Sequence, residues 1–320
     1  MGSRGGFETR PYEGEEILRV ADVFVAGSIN QDFVLSVQRR PAPGETVTDA
    51  RLATHNGGKG ANQAAAAALL GASVAFLGRV GDDGFGEPLV RALADKGVDT
   101  GLMQEVPGSS TGAAFITVTP DGENAITVAP GANRRLTAED VDEASESIGD
   151  AKVLVAQMEI PPEVVLRAAE VAAASGTRVL VNLAPPFEVP RTLLEKLDPL
   201  VINEHEAAFL LGERVEGVDE ALDAAPGLLA LGSGSVVVTL GEDGAVFSDG
   251  ESAQHLTAPK VEVVDTTGAG DAFVGALAAR LAADAPLKDA VAYAVRAGAA
   301  AVTEAGAQGA LPTPDVVEAL

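Results

Sequence analysis

Two rhythms of apolar and polar positions alternate along the chain. Short runs of valine, isoleucine and leucine read as buried strands, and Ala/Leu-rich stretches with three- and four-residue apolar spacing read as amphipathic helices. The pattern predicts a strand at Val20–Ala26, a helix at Gly60–Leu70, a strand at Val74–Gly78 and a helix at Pro88–Lys96. Strands at Val153–Ala156 and Val179–Val181 flank a helix at Val164–Ala174. A strand at Leu200–Ile202, a helix at Glu204–Leu211, a strand at Val236–Leu240 and a helix at Ala272–Ala283 follow. Strands alternating with helices imply βαβ units and a three-layer α/β/α, doubly wound, mostly parallel sheet covered on both faces.

Two stretches break the rhythm. Residues 33–55 and 111–128 are strand-rich, carry the turn strings Pro-Ala-Pro-Gly and Pro-Asp-Gly-Glu, and contain no helical pattern. They are expected to form a small β-sheet lid on one domain spanning 20–320. Residues 1–19 lack an apolar secretory core and read as a flexible N-terminal extension. No apolar run approaches the ~18 residues of a membrane span, so a cytoplasmic protein is expected.

Charge narrows the partners. There are 47 acidic and 22 basic residues, a formal charge of −25, and only six of the basic residues are lysine. Such a surface repels nucleic acid and anionic lipid. Any bound polyanion then needs local cations, Mg²⁺ or oriented amides at its site. The chain has no cysteine, which removes disulfides, thiolate nucleophiles and cysteine-based zinc sites. His55, His205 and His255 lack metal-ligand spacing.

The most informative segment is Val264-Asp-Thr-Thr-Gly-Ala-Gly-Asp-Ala-Phe273. A β-branched run feeds a turn, then Gly268, Ala269 and Gly270 open an Ala-rich helix. Backbone N–H groups at such a start close around an anion, and the helix dipole favours negative charge there. Asp271 lies in that first turn. A carboxylate beside a phosphate cradle suits a base that takes a proton from an attacking hydroxyl; plain capping is the other reading. The string G-x-x-x-x-G-K-S/T is absent, which argues against a P-loop kinase.

Five further segments carry polar groups at element ends. Gly27-Ser-Ile-Asn-Gln-Asp32 follows the first strand, where doubly wound sheets bind ligands; Asn30 and Asp32 suit a polyol, and equally fit a capped turn. Asn56-Gly-Gly-Lys-Gly-Ala-Asn-Gln63 opens a helix, with paired glycines for close backbone approach and with Lys59 and Asn62 as a charge and an amide. Glu159 ends a strand, placed to accept sugar hydroxyls or simply solvated. Asn203 and Glu206, at i, i+3, share a helix face and could order Mg²⁺-bound water, or simply start a helix. Thr239 to Gly244 is a nucleotide-edge turn or an ordinary hairpin.

In this order the six segments resemble the ribokinase-like family of carbohydrate and nucleoside kinases, from about Val20 to Pro312. Gly-Gly-Lys-Gly-Ala-Asn-Gln and Gly-Ser-Ile-Asn-x-Asp lie nearer the family's ribose kinases than its fructose or adenosine kinases. The resemblance implies ATP-dependent, Mg²⁺-assisted phosphorylation of D-ribose at O5, with Asp271 as base and a Gly268–Gly270 anion hole. It implies sugar contacts from Asn30, Asp32, Gly58, Lys59, Gly60, Ala61, Asn62, Glu159 and Asp271. Nucleotide contacts would come from Asn203, Glu206, Thr239, Leu240, Gly241, Glu242, Asp243, Gly244 and Gly270. A K⁺ site is implied at Asp265, Thr267, Ala301, Glu304, Gly306 and Ala310, largely through carbonyls. It also implies a homodimer through the lid. Two positions depart from the pattern: Ala310 stands where serine is usual, and Val295 where His or Asn often meets adenine. Alternatives are a kinase for deoxyribose, fructose or pseudouridine, or a catalytically silent sugar-binding regulator, against which Asp271, Gly268 and Gly270 argue.

Overall fold

The computed structural model describes residues 20–121 and 123–320; the expected extension at 1–19 lies outside the described residues. In chain order the strands are β1 (Val23–Ala26), β2 (Asn30–Ser36), β3 (Arg51–Gly57), β4 (Val74–Gly81), β5 (Val98–Val106), β6 (Gly112–Val118), β7 (Asn124–Ala129), β8 (Val153–Gln157), β9 (Arg178–Asn182), β10 (Leu200–Asn203), β11 (Val236–Thr239), β12 (Ala245–Ser248) and β13 (Ala253–Leu256). Nine of them form one sheet in the order β13-β12-β11-β10-β9-β8-β1-β4-β5, parallel except where β12 pairs antiparallel with β11 and β13. The chain winds outward from β1 in both directions, with Val23 in register with Val74 of β4 and Val153 of β8.

Side chains alternate between two cores, as the period of a strand demands. Val23 and Val25 pack with the helices Lys59–Leu69, Ala269–Ala282 and Leu287–Ala301, whereas Phe24 and Ala26 pack on the opposite face with Pro162–Ser175 and Gly217–Ala230. All four residues of β1 are fully buried, which is why it reads as an unbroken apolar run. Gly275 lets the first two helices approach: a Cβ there would stand 2.4 Å from that of Ala66.

The lid is the four-stranded sheet β3-β2-β6-β7. Phe33 stacks on Phe115 at 5.2 Å and meets Phe85 edge-on at 5.6 Å. All of β7 is exposed.

Several elements differ from expectation. β1 begins at Val23, and Val20 is exposed. The lid starts earlier than residue 33: Asn30 and Asp32 sit on β2, paired with Gly57 and His55 of β3, so Gly27–Asp32 is not a capped turn. Residues 37–50 between β2 and β3 form no strand. The β-branched run Val261–Val264 is also irregular, since Val263 and Val264 are exposed with no strand beside them to complete a ladder.

Candidate active site

The β1–β2 and β8 ends, the start of the helix Lys59–Leu69 and the start of the helix Ala269–Ala282 meet beyond the carboxyl edge of the sheet, where open α/β sheets bind ligands. Gly58 caps the first helix with φ 91°, and a Cβ there would lie 2.7 Å from Ile29 Cα, so only glycine lets this loop lie against β1's exit. The Gly60 and Ala61 amides then bond Ser28 Oγ at 3.3 Å and Ser28 O at 2.8 Å. Ser28 Oγ donates to Glu159 Oε2 at 2.6 Å, and the Lys59 amide reaches the same oxygen at 3.1 Å. Glu159 thus ties the two loops together, a role its isolated place at a strand end did not reveal.

Asp271 is held by two amides from the neighbouring helix. Asn62 Nδ2 donates to Oδ2 at 2.9 Å and Gln63 Nε2 to Oδ1 at 3.0 Å. Gln63 in turn meets Asn182 Oδ1 at 3.0 Å and accepts from Gln157 Nε2 at 2.7 Å. These bonds fix where the remaining lone pairs of Asp271 point. Gln63, Gln157 and Asn182 were not among the sequence candidates. Their signal, amides otherwise lost inside apolar runs, is visible only when the strands and helix are brought together.

Asp32 faces the same space. Burial pushes its carboxyl up to about 7, helped by the nearby Glu159 and Asp271 carboxylates. Its Oδ1 is buried without a hydrogen-bond partner, and so is Asn62 Oδ1. Burial pulls the Lys59 ammonium down, but Asp271, Glu159 and Glu206 push it up further, and the balance lies above the ordinary lysine value. Asn30 is buried, its Oδ1 accepting from Asn133 Nδ2 at 2.7 Å.

Gly268 caps the helix Ala269–Ala282 in the left-handed region, φ 80°, where a Cβ would sit 2.9 Å from Ala307 Cα. Nothing lies within 4 Å of a Cβ built on Gly270, so the open helix start faces free space with its first N–H groups lacking intrahelical partners. From Gly270 a cavity of about 1290 Å³ runs to Asn203, Thr239 and the turn Gly241–Gly244. Its walls include Phe273, Val295, Gly298 and residues 257–261. Charged residues of both signs also line it: Lys260 and Arg214, the latter paired with Glu216, and the carboxylates Glu204, Glu216, Glu242 and Asp243.

Two nucleotide-side candidates take other places. Asn203 and Glu206 form a capping box: Asn203 Oδ1 accepts from the Glu206 amide at 2.9 Å, and Glu206 Oε2 from the Asn203 amide at 2.8 Å. Asn203 lines the cavity as the helix cap, but Glu206 is buried outside the lining, its carboxyl raised by that burial. Leu240 is likewise in the core, shaping the turn through its carbonyl, which accepts from the Asp243 amide at 3.1 Å. The turn Thr239–Gly244 joins β11 to β12 as an antiparallel hairpin, and all of it but Leu240 lines the cavity.

Behind the Gly268–Gly270 helix start, Asp265 Oδ1 accepts from the amide and hydroxyl of Thr267 at 2.9 and 2.7 Å, and its Oδ2 from the Gly306 amide at 2.8 Å. These bonds outweigh the burial that would raise its carboxyl and hold it below the usual value. The turn before Gly268 is therefore stitched to the loop carrying Glu304 and Gly306. Ala301 and Ala310 are buried and Glu304 is exposed.

A family model described as pfkB family carbohydrate kinase matches residues 20–314. A ribokinase of Staphylococcus aureus is 39% identical over 293 residues, covering 91% of this chain and 96% of its own. A deoxyribokinase of Salmonella typhi is 36% identical over 293 residues, with the same coverage of 91% and 96%. A solved structure of Arabidopsis thaliana ribokinase complexed with ribose and ATP superposes with a TM-score of 0.86 at 31% identity, covering 94% of this chain and 98% of its own.

Proposed function

The chain belongs to the pfkB family of carbohydrate kinases, and on that premise we propose that it transfers the γ-phosphoryl group of ATP to O5 of D-ribose, giving D-ribose 5-phosphate and ADP. One observation carries the reading. Two buried acceptors without partners, Asp32 Oδ1 and Asn62 Oδ1, lie with Asp271 beside an open helix start. Orphaned acceptors cost free energy unless a ligand brings donors. A polyol brings several.

Ribose hydroxyls donate to Asp32 and Asn62, with Lys59 and Glu159 completing the ring of polar groups. Asp271 accepts the O5 proton as O5 bonds to the γ-phosphorus and the bond from that phosphorus to the β–γ bridging oxygen breaks. Amides of Gly268–Asp271 stabilise charge on the transferring group. Mg²⁺ bound with the nucleotide would supply charge neutralisation of the triphosphate. Closure of the lid over ribose excludes water, a competing phosphoryl acceptor.

Three finer features belong to the same proposal. The lid's exposed apolar residues, Leu52, Phe115, Ile126 and Val128, would be covered by the lid of a second copy, since a small sheet with open faces and edges is unstable alone. Light scattering should give a dimer at micromolar concentration; a fully active monomer would refute it. A cytoplasmic setting, where ATP is supplied, fits the reaction. K⁺ would sit beside Asp265.

The decisive assay follows ADP release over pentoses, hexoses and nucleosides. Ribose should give the highest kcat/KM. Preference for deoxyribose, fructose or a nucleoside would reassign the substrate, and no ADP with any sugar despite binding would identify a silent binder.

A further inference from the structure

Asp271 stands at one end of a row of side-chain amides that crosses the carboxyl edge of the sheet. The row runs from Val201 O on β10 to Asn182 at the end of β9 and on to Gln63 in the helix Lys59–Leu69. There it meets both Asp271 and Gln157, which ends β8. Gln63 and Gln157 are each 1% exposed, and Asn182 and Asp271 less than a tenth.

The two ends of an amide are distinguished by what they must bond. Val201 O only accepts, so Asn182 turns Nδ2 toward it, at 3.2 Å, and presents Oδ1 to Gln63. A carboxylate also only accepts. Gln63 therefore uses both of its Nε2 protons, one on Asn182 Oδ1 and one on Asp271 Oδ1, each at 3.0 Å. Its Oε1 then needs a donor inside the core, and Gln157 Nε2 supplies one at 2.7 Å.

Gln157 does not improve the count of satisfied groups. It satisfies one acceptor and strands another, its own Oε1, which is buried without a partner. Gly27 leaves room for that oxygen, since a Cβ there would stand 2.5 Å from it. The rest of β8 is Val-Leu-Val-Ala. An apolar fifth residue would leave the same number of orphaned acceptors without burying an amide. What Gln157 adds is direction. Turned end for end, Gln63 would aim its carbonyl at Asp271, and two acceptors would face each other unless a proton sat between them. A carboxyl that already holds a proton accepts no other. The donor at Gln157 keeps the Gln63 carbonyl pointed away from Asp271.

We propose that Gln63 is a positioning residue for phosphoryl transfer, turned by Gln157 and Asn182 so that it holds Asp271 ready to accept the proton of the attacking hydroxyl. The catalytic part rests on the role of Asp271 in the sugar-kinase reading above; the orientation of Gln63 does not.

The test compares Gln63→Met, Gln157→Met and the double variant. Gln63→Met should lower kcat roughly 10–100-fold, the scale of a misplaced reacting group, and leave the calorimetric dissociation constant for ribose within about twofold. Gln157 makes no hydrogen bond to Asp271, yet Gln157→Met should lower kcat severalfold in the wild-type background. In the Gln63→Met background it should lower kcat no further, because its effect passes through Gln63. Additive effects, or a lower melting temperature with unchanged kcat, would overturn the proposal. If Gln63→Met does not fold, Gln157→Met decides alone, by its kcat against its ribose dissociation constant. The amide also gives a readout that needs no turnover. In ¹⁵N-labelled protein, the Gln63 side-chain protons, identified by their absence from Gln63→Met, should exchange with water slowly in wild type and faster in Gln157→Met. Equal exchange in both overturns the orientation by Gln157. A wild type that forms no sugar phosphate yet shows this dependence would sink the kinase reading, and the catalytic role with it, and leave the orientation standing.

Discussion

At the end of the cleft proposed to hold the sugar, Asp32, Asn62, Gln63 and Asp271 are each less than a tenth exposed; Asn62 and Gln63 both donate to Asp271, and Asp32 Oδ1 and Asn62 Oδ1 are left without a partner. At the end proposed for the nucleotide, a cavity of about 1290 Å³ has Val295, Phe273, Ala258 and Gly298 in its walls. The first is a closed set of buried acceptors that only donors in the right places satisfy. The second is a roomy, mostly apolar slot with charged residues of both signs at its margin. Buried polar sets discriminate strongly, because a wrong ligand leaves groups unpaired, whereas apolar slots discriminate weakly. Side-chain changes should therefore be costly at one end and cheap at the other.

The largest break of this contrast is at the boundary between the ends. Asp271→Asn should keep ribose binding and lower kcat by about 10²–10⁴, the usual size of a lost general base. Parallel measurement of kcat and of the ribose dissociation constant checks it, and near wild-type turnover would remove Asp271 as the base.

Next come Asp32→Ala and Glu159→Ala. Each should lose roughly 2–4 kcal/mol in kcat/KM for ribose, since a charge-assisted bond is lost and a buried partner is stranded. Glu159→Ala also unlinks Ser28 from the Lys59 amide. Unchanged kcat/KM in both would place the sugar elsewhere. By comparison, Val295→Asn should move the KM for ATP far less, in keeping with the tolerant wall.

A subtler effect follows from the burial of Asp32 itself. Asp32 titrates near 7 in the ligand-free fold, against an ordinary value of 3.8. Between those values the folded protein holds more protons than the unfolded chain, so stability falls as pH rises through that window and levels off above it. Asp32→Asn should thus stabilise the free enzyme by about 1–3 kcal/mol at pH 8 and by almost nothing at pH 4. Ribose hydroxyls favour the charged carboxylate, so wild-type ribose affinity should weaken below pH 7. Melting curves at both pH values read the first expectation, and a pH-independent gain would show that charge is not its cause.

The two ends were also unequally legible in the sequence. Asn30, Asp32, Lys59, Asn62 and Asp271 stood out because polar residues interrupt apolar or glycine-rich strings at element boundaries, and the structure gathers them. Gln63, Gln157 and Asn182 did not, because their meaning is a three-way contact across 119 residues of chain or fewer. On the proposed nucleotide side, Ala258, Pro259, Val261 and Gly298 contribute mostly shape, which leaves no chemical mark. The Glu206 spacing carried a second meaning for a physical reason: the spacing that puts two side chains on one helix face also makes a capping box when the first of them precedes the helix. The doubly wound sheet was legible from its buried valine runs, whereas β12 and β13, on the antiparallel edge, carried no such signal beyond four residues each.

The smallest effect tests whether the boundary between the two ends is tuned from behind. Asp265 binds Thr267 on the turn leading into Gly268 and Gly306 on the adjoining loop, so a cation held beside it would set the directions of the Gly268–Gly270 amides. Thr267, Ala301, Glu304 and Gly306 could offer oxygens with Asp265, most of them carbonyls whose supply does not depend on residue type. Ala310 is buried and has no hydroxyl, so its place must be filled by its own carbonyl, by water, or left empty. K⁺ has low charge density, and losing one neutral ligand weakens such a site without abolishing it. Activity should therefore rise with KCl against a bulky organic cation at constant ionic strength, and Ala310→Ser should reach its plateau at lower KCl. A flat response in wild type with a rising one in Ala310→Ser would assign the loss to the missing hydroxyl. Flat responses in both would show that the amides at the Gly268–Gly270 helix start are set by Asp265 and its three hydrogen bonds alone.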